Sequence, residues 1–105
     1  CDLYVASLGD KAKAQAFRLA ELVRTTSLNA ECDLVGRSLK AQMKYADKIG
    51  AQYSIVLGDD EIANREAVLK NMKTGEKKKI SLNDDFVDTY ITAVTEQEDA
   101  MPITF

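Results

Sequence analysis

Arg37, Lys40, Lys44 and Lys48 recur along the stretch from Gly36 to Gly50. The three lysines stand at i, i+4 and i+8, so on a helix they form one stripe. Like charges four residues apart repel by roughly 0.2–0.5 kcal/mol per pair. A stripe that works against its own helix is accounted for by an anionic ligand; solubility alone is the blander account. Phosphate suits the placement. Arg37 and Lys40 lie at the N-terminal end, where unpaired amides and the helix dipole add to the side-chain charge. Lys44 and Lys48 follow at the spacing needed to track a phosphate backbone. Tyr45 sits beside the stripe and can stack on an exposed base if its ring is not buried.

No second group has the pattern of a catalytic site. Asp59, Asp60, Glu61 and the nearby Asn64 are the densest carboxylate-rich run. They suit magnesium or a solvated acidic turn, and lack the alternating ligand spacing of a calcium loop. The turn Leu8-Gly9-Asp10-Lys11 has neither the repeated glycines of a dinucleotide site nor a P-loop's Gly-Lys-Ser/Thr. The sequence contains no histidine, so Ser7, Ser27, Ser38, Ser54 and Ser81 have no partner for the usual serine triad. Cys32 likewise has no histidine base. Cys1 and Cys32 are the two cysteines; a structural disulfide is not expected, and Cys32 reads as a buried thiol in an apolar segment. Lys77-Lys78-Lys79 reads either as a basic surface or as charge that keeps an exposed hairpin from pairing edge to edge.

These residues are carried by a chain of 105 residues with 14 basic and 17 acidic side chains, a net charge of -3. That length is one domain at roughly 100–200 residues each, long enough to close a hydrophobic core. An acidic total does not advertise nucleic-acid binding, so any such function rests on local charge. No apolar run approaches the ~20 residues that cross a bilayer, and no signal peptide is visible, which fits the cytoplasm. The chain begins at Cys1 with strand-like sequence almost at once, as expected of a piece of a longer protein.

The pattern predicts a strand over Leu3–Leu8, then an amphipathic helix from Lys11 to Thr25 capped by Asp10. A short strand over Ala30–Val35 precedes the basic helix, which Ser38 caps and Gly50 stops. Leu39, Met43 and Ala46 form that helix's apolar face. Gln52–Leu57 is the most continuous apolar run and belongs at the sheet centre. Asp59–Asn64 is an acidic turn with about a single helical turn in it. Ala67–Met72 and Glu76–Leu82 form a hairpin around Gly75. A last helix, capped by Ser81 or Asn83, places Phe86, Tyr90, Ile91 and Val94 inward. The order β-α-β-α-β-β-β-α, with right-handed crossovers, gives a three-layer α/β/α domain with a mixed five-stranded sheet. Strands 1 and 3 are neighbours, and the more polar strand 2 lies at an edge.

The run Gly36-Arg37-Ser38-Leu39-Lys40-Ala41-Gln42-Met43-Lys44-Tyr45-Ala46-Asp47-Lys48-Ile49-Gly50-Ala51 closely resembles the corresponding stretch of bacterial-type histidyl-tRNA synthetases. The likeness extends to Tyr4–Gly9, Ile55–Glu61 and Met72–Glu76, and covers about Leu3 to Val94 in order. It implies the anticodon-binding domain of a class II aminoacyl-tRNA synthetase, with sheet order 2-1-3-4-5, strand 4 antiparallel and three flanking helices. It further implies a cytoplasmic homodimeric parent enzyme that uses ATP and magnesium in a separate catalytic domain of the same chain to attach histidine to its tRNA. The domain itself would be non-catalytic and would hold no cofactor. Residues 1–95 form the domain in this reading, and 96–105 are a tail to which nothing functional is carried.

The matched motif implies contacts to the anticodon stem-loop from Arg37, Lys40 and Lys44, with Tyr45 and Lys48 beside them. Glu61 and Asn64 follow the C-terminal end of a central strand, where α/β sheets place ligands. They are expected to face Arg37 across a cleft and to share hydrogen bonds with unstacked bases. The alternative is a synthetase paralogue without aminoacylation, such as the regulatory subunit of ATP phosphoribosyltransferase, in which the domain would serve protein contact. A small free-standing nucleotide-binding α/β enzyme is the third reading, and the missing glycine and histidine signatures argue against it.

Overall fold

The computed structural model describes residues 2–26, 28–33 and 36–99. In chain order the elements are β1 (Leu3–Ser7), α1 (Asp10–Arg24), β2 (Ala30–Cys32), α2 (Leu39–Lys48), β3 (Tyr53–Leu57), α3 (Asp59–Asn64), β4 (Glu66–Asn71), β5 (Lys77–Ser81) and α4 (Phe86–Asp99). The sheet order is β2-β1-β3-β4-β5. β1 pairs in parallel with β2 and β3, whereas β4 is antiparallel to both β3 and β5. β4 is therefore the one strand that runs against the rest, and the expected mixed sheet is what the chain forms.

Side chains alternate across the strands and divide the core in two. Leu3, Val5, Ile55, Leu69 and Ile80 point to one face and pack with Ala12, Ala16, Leu19 and Val23 of α1 and with Phe86, Tyr90 and Ala93 of α4. Tyr4, Ala6 and Val56 point to the other face and meet Leu39, Met43, Tyr45 and Ala46 of α2. Two helices cover the first face. Among the described residues the second has only α2, above β1 and β3, and none of them covers the outer half of that face over β4 and β5. In β4 the consequence is strict alternation: Ala67, Leu69 and Asn71 are buried, while Glu66, Val68 and Lys70 are exposed.

Several local expectations need adjusting. Gly9, with φ 94°, occupies the N-cap of α1, and Asp10 becomes its first residue without a side-chain cap; its charge still complements the helix dipole there. β2 is described over three residues, and positions 34 and 35 lie outside the described residues. The acidic turn is a full six-residue helix, α3, with Asp59, Asp60 and Glu61 in its first turn. Glu61 Oε1 accepts from the Gly58 N–H at 3.1 Å and holds the turn. It makes a fourth helix beside the three expected. In α4, Phe86, Tyr90 and Ala93 are buried, but Ile91 is 39% exposed. Positions 86, 90 and 93 share one face, and 91 lies more than a third of a turn from its centre. α4 also continues past Val94 to Asp99, into the segment read as a tail; residues 100–105 lie outside the described residues.

Cys32 is a free, buried thiol, and burial pushes its pKa up; Cys1 lies outside the described residues. Among the described residues no helix is long and apolar enough to cross a membrane.

Candidate nucleic-acid interface

α2 begins as its sequence dictates. Ser38 is extended and its hydroxyl accepts from the Ala41 N–H at 3.2 Å. At the far end Gly50 takes φ 71°, a conformation that favours glycine, and the helix stops. Leu39 and Met43 are half-buried, but the centre of the inward face is Gln42, which is wholly buried. Lys40, Lys44 and Lys48 are all exposed. At 100° per residue the lysines lie opposite or oblique to Gln42, so the stripe faces away from the sheet.

Arg37 sits on one flank of α2. Its Nε donates to Asp33 Oδ1 at 3.0 Å. Its Cζ lies 4.8 Å from the centroid of the Tyr45 ring, a cation–π geometry. Asp33 is completely buried, and its Oδ2 accepts from the N–H groups of Gly36 and Arg37, each at 2.8 Å. The hydrogen bond to Asp33 holds the guanidinium more firmly protonated than usual. Tyr45 is half-buried, packs 5.9 Å from Tyr4 and has Arg37 above its ring, so it serves first as a support and not as an open stacking platform. The Tyr4 hydroxyl is buried and finds no hydrogen-bond partner among the described residues. Desolvation, reinforced by the Asp33 charge, pushes its pKa up to about 12.

Leu39 and Met43, on the opposite flank, form one wall of a groove of about 540 Å³ over the open half of the sheet. Val56 and Val68 supply its apolar floor. Lys70, Lys77 and Lys79 border it from β4 and β5, and Glu61, Asn64 and Glu66 border it from the α3 side. Lys70 and Lys77 are direct cross-strand partners, as are Val68 and Lys79. Like charges paired across strands disfavour the sheet, as they do along α2. The groove thus combines a flat apolar floor, a cationic side and a neutral-to-acidic side with donors and acceptors. Asn64 is exposed and its carboxamide takes no protein partner among the described residues.

The structure therefore brings Glu61 and Asn64 to the groove beside α2, not to a cleft shared with Arg37. Arg37 is not among the groove-lining residues, because Asp33 and Tyr45 hold it on the other flank. Lys40, Lys44 and Lys48 lie on the outer face of α2. Among the described residues no cluster of histidine, cysteine or carboxylate groups could hold a metal, so the acidic run 59–61 serves as the first turn of α3. Lys70 belongs to no run of charges and does not stand out in the sequence, although the period-two pattern Glu66-Val68-Lys70 places it on the same face as Lys77 and Lys79. Asp33 does not stand out either, because its partner lies across a loop and no periodicity marks that.

Comparison with known proteins agrees with this architecture. Residues 2–90 match the family model described as anticodon binding domain. Histidine--tRNA ligase of Acetivibrio thermocellus is 60% identical over 82 residues, covering 78% of this chain and 20% of that protein. The Clostridium novyi protein of the same name is 49% identical over the same length and coverage. The crystal structure of apo S. aureus histidyl-tRNA synthetase superposes with a TM-score of 0.78 at 40% identity, covering 83% of this chain and 25% of that one. The chain spans about a fifth of the length of the curated relatives it matches. It belongs to the anticodon-binding domain family and corresponds to the anticodon-binding region of histidyl-tRNA synthetases.

Proposed function

We propose that this chain binds the anticodon stem-loop of histidine tRNA as the anticodon-binding domain of a histidine--tRNA ligase. Its groove supports the reading most directly: an apolar floor of Val56 and Val68 beside a wall of Leu39 and Met43, flanked by lysines on one side and by Glu61 and Asn64 on the other. An unstacked base needs a flat apolar surface, its edge needs hydrogen-bonding groups, and its phosphates need cations. Lys40, Lys44 and Lys48 extend the cationic surface along α2, and Arg37, supported by Tyr45, completes it at the other flank. In this reading residues 1–95 are the RNA-binding unit, and no RNA-binding role falls to the tail 96–105. The ATP, magnesium and histidine chemistry belongs to a catalytic domain elsewhere in a cytoplasmic, homodimeric parent enzyme, and this domain supplies tRNA selection without a cofactor of its own.

The experiment is a titration of the histidine anticodon stem-loop with the chain and with a Lys70→Ala/Lys79→Ala variant. Both lysines are exposed on the sheet, so the variant keeps the core. Binding weakened by an order of magnitude supports the groove, on the scale of charge-assisted hydrogen bonds. Unchanged affinity removes the groove from the interface. Wild-type protein that does not bind the stem-loop favours the protein-contact role of a paralogue.

A further inference from the structure

Arg37 is fixed to a degree unusual for a surface arginine. Its Nε is bound to a carboxylate that is itself fully buried. One face of the guanidinium rests on Tyr45, which in turn packs on the buried ring of Tyr4. The same Asp33 carboxylate fixes the loop by taking the N–H groups of Gly36 and Arg37. A second anchor is the Arg37 carbonyl, which accepts from Gln42 Nε2 at 2.7 Å. Backbone and side chain are therefore held together. Yet the side chain remains 39% exposed, and its two terminal nitrogens take no partner among the described residues. A free arginine side chain loses rotamer entropy when it binds, and its planar fork matches two adjacent oxygens.

We infer that Asp33 and Tyr45 are positioning residues that present the terminal nitrogens of Arg37 as a fixed fork to an RNA phosphate, at the start of α2. The inference rests on the RNA-binding reading and deepens it. Phosphate is favoured over a base edge for two reasons. Arg37 does not line the groove that offers an apolar floor. It also stands one residue before Ser38, at the N-terminus of a ten-residue helix, where dipole and charge attract an anion together. Tyr45 is thereby committed to supporting Arg37, and an RNA base gains little from its occupied ring.

The test is a double-mutant cycle on stem-loop binding. Asp33→Asn turns an acceptor toward Arg37 Nε into a donor, or else gives up the two loop N–H groups. The expected result is that Arg37→Ala weakens cognate and altered stem-loops by the same factor, on the order of tenfold. Asp33→Asn reproduces most of that loss, and adding it to Arg37→Ala costs no further affinity. Arg37→Lys keeps the charge but not the fork, so it retains the salt dependence and loses affinity. If Asp33→Asn fails to fold, Tyr45→Leu replaces it, with the same non-additivity expected.

Asp33→Asn that weakens binding equally in the Arg37→Ala background overturns the inference, because its effect is then merely structural. So does an Arg37→Ala variant that changes the cognate-to-altered ratio, which would move Arg37 to a base edge. Arg37→Ala that binds normally, while Lys40→Ala/Lys44→Ala binds weakly, overturns the inference and leaves the RNA-binding reading standing. Wild-type chain that binds no stem-loop overturns both.

Discussion

The Gln42 side chain pairs with Ser7 as a strand would. Its Oε1 accepts from the Ser7 N–H at 2.8 Å and its Nε2 donates to the Ser7 carbonyl at 2.8 Å. β2 pairs with β1 only as far as Val5, while the Leu8 N–H already bonds to Leu57 of β3. Among the described residues the outer side of β1 at Ser7 thus has no strand to bond, and a buried backbone without partners is costly. Gln42 fills that place from α2 and, through the Arg37 carbonyl, ties it to the loop that carries the arginine.

Gln42→Leu keeps the volume and leaves three backbone groups unpaired. Each buried unsatisfied group costs roughly 1–3 kcal/mol, with water recovering part of the total. The expected loss is about 2–4 kcal/mol, read from the midpoint of urea unfolding at unchanged slope. A midpoint equal to wild type would show that the pairing contributes nothing to stability.

Tyr4→Phe removes a buried hydroxyl that has no partner among the described residues, so it is expected to leave stability unchanged or to raise it by about 1 kcal/mol. It also changes the alkaline response. The folded-state pKa of Tyr4 is pushed up to about 12 from an ordinary 10.0, so the fold favours the neutral phenol. That contribution is complete below pH 10 and is lost as pH rises through 12. Unfolding free energy measured against pH should therefore fall more steeply above pH 10 in wild type than in Tyr4→Phe. Parallel curves would place the hydroxyl in a solvated setting.

Ser38→Ala deletes the cap of α2 and should cost about 1 kcal/mol. Thermal unfolding reads this directly. Ser38→Asp should restore the stability, since its carboxylate also accepts from the first turn.

Lys40→Ala/Lys44→Ala tests the stripe. Both side chains are exposed, so folding should be unaffected. Affinity for matched and scrambled stem-loops should fall together. The slope of log affinity against log salt should flatten by about 0.7–0.9 for each phosphate that is no longer neutralised. A slope equal to wild type in the double variant would make the stripe a solvated face.

Much of this was legible in the sequence because it follows from short-range patterns. The strand order at β2-β1-β3, the Ser38 cap and the Gly50 stop are local chemistry together with crossover handedness. Gln42 was legible only in part: three residues after Leu39 and four before Ala46, it falls on the apolar face of α2, but its partner Ser7 is set by the early end of β2, which no helical period encodes. The placement of Arg37 failed for a related reason. Strand polarity brings the start of α2 and the start of α3 to the same edge of the sheet, but not to the same flank of α2. That flank is set by Asp33, whose bond to Arg37 no periodicity encodes. The groove itself depends on a sheet face left half uncovered, which emerges only when the helices take their places on the two sides of the sheet.

Base reading in the groove between α2, α3 and the hairpin is decided by one ratio. It compares affinities for the histidine anticodon stem-loop and for stem-loops altered at single anticodon bases, measured with wild type and with Asn64→Ala. Asn64 is exposed and unpartnered among the described residues, so its loss should spare the fold. Wild type should prefer the cognate loop, and Asn64→Ala should lose roughly 1–3 kcal/mol of that preference at one altered base, with its salt slope unchanged. A wild-type chain that binds all the loops equally would contradict base reading by this domain.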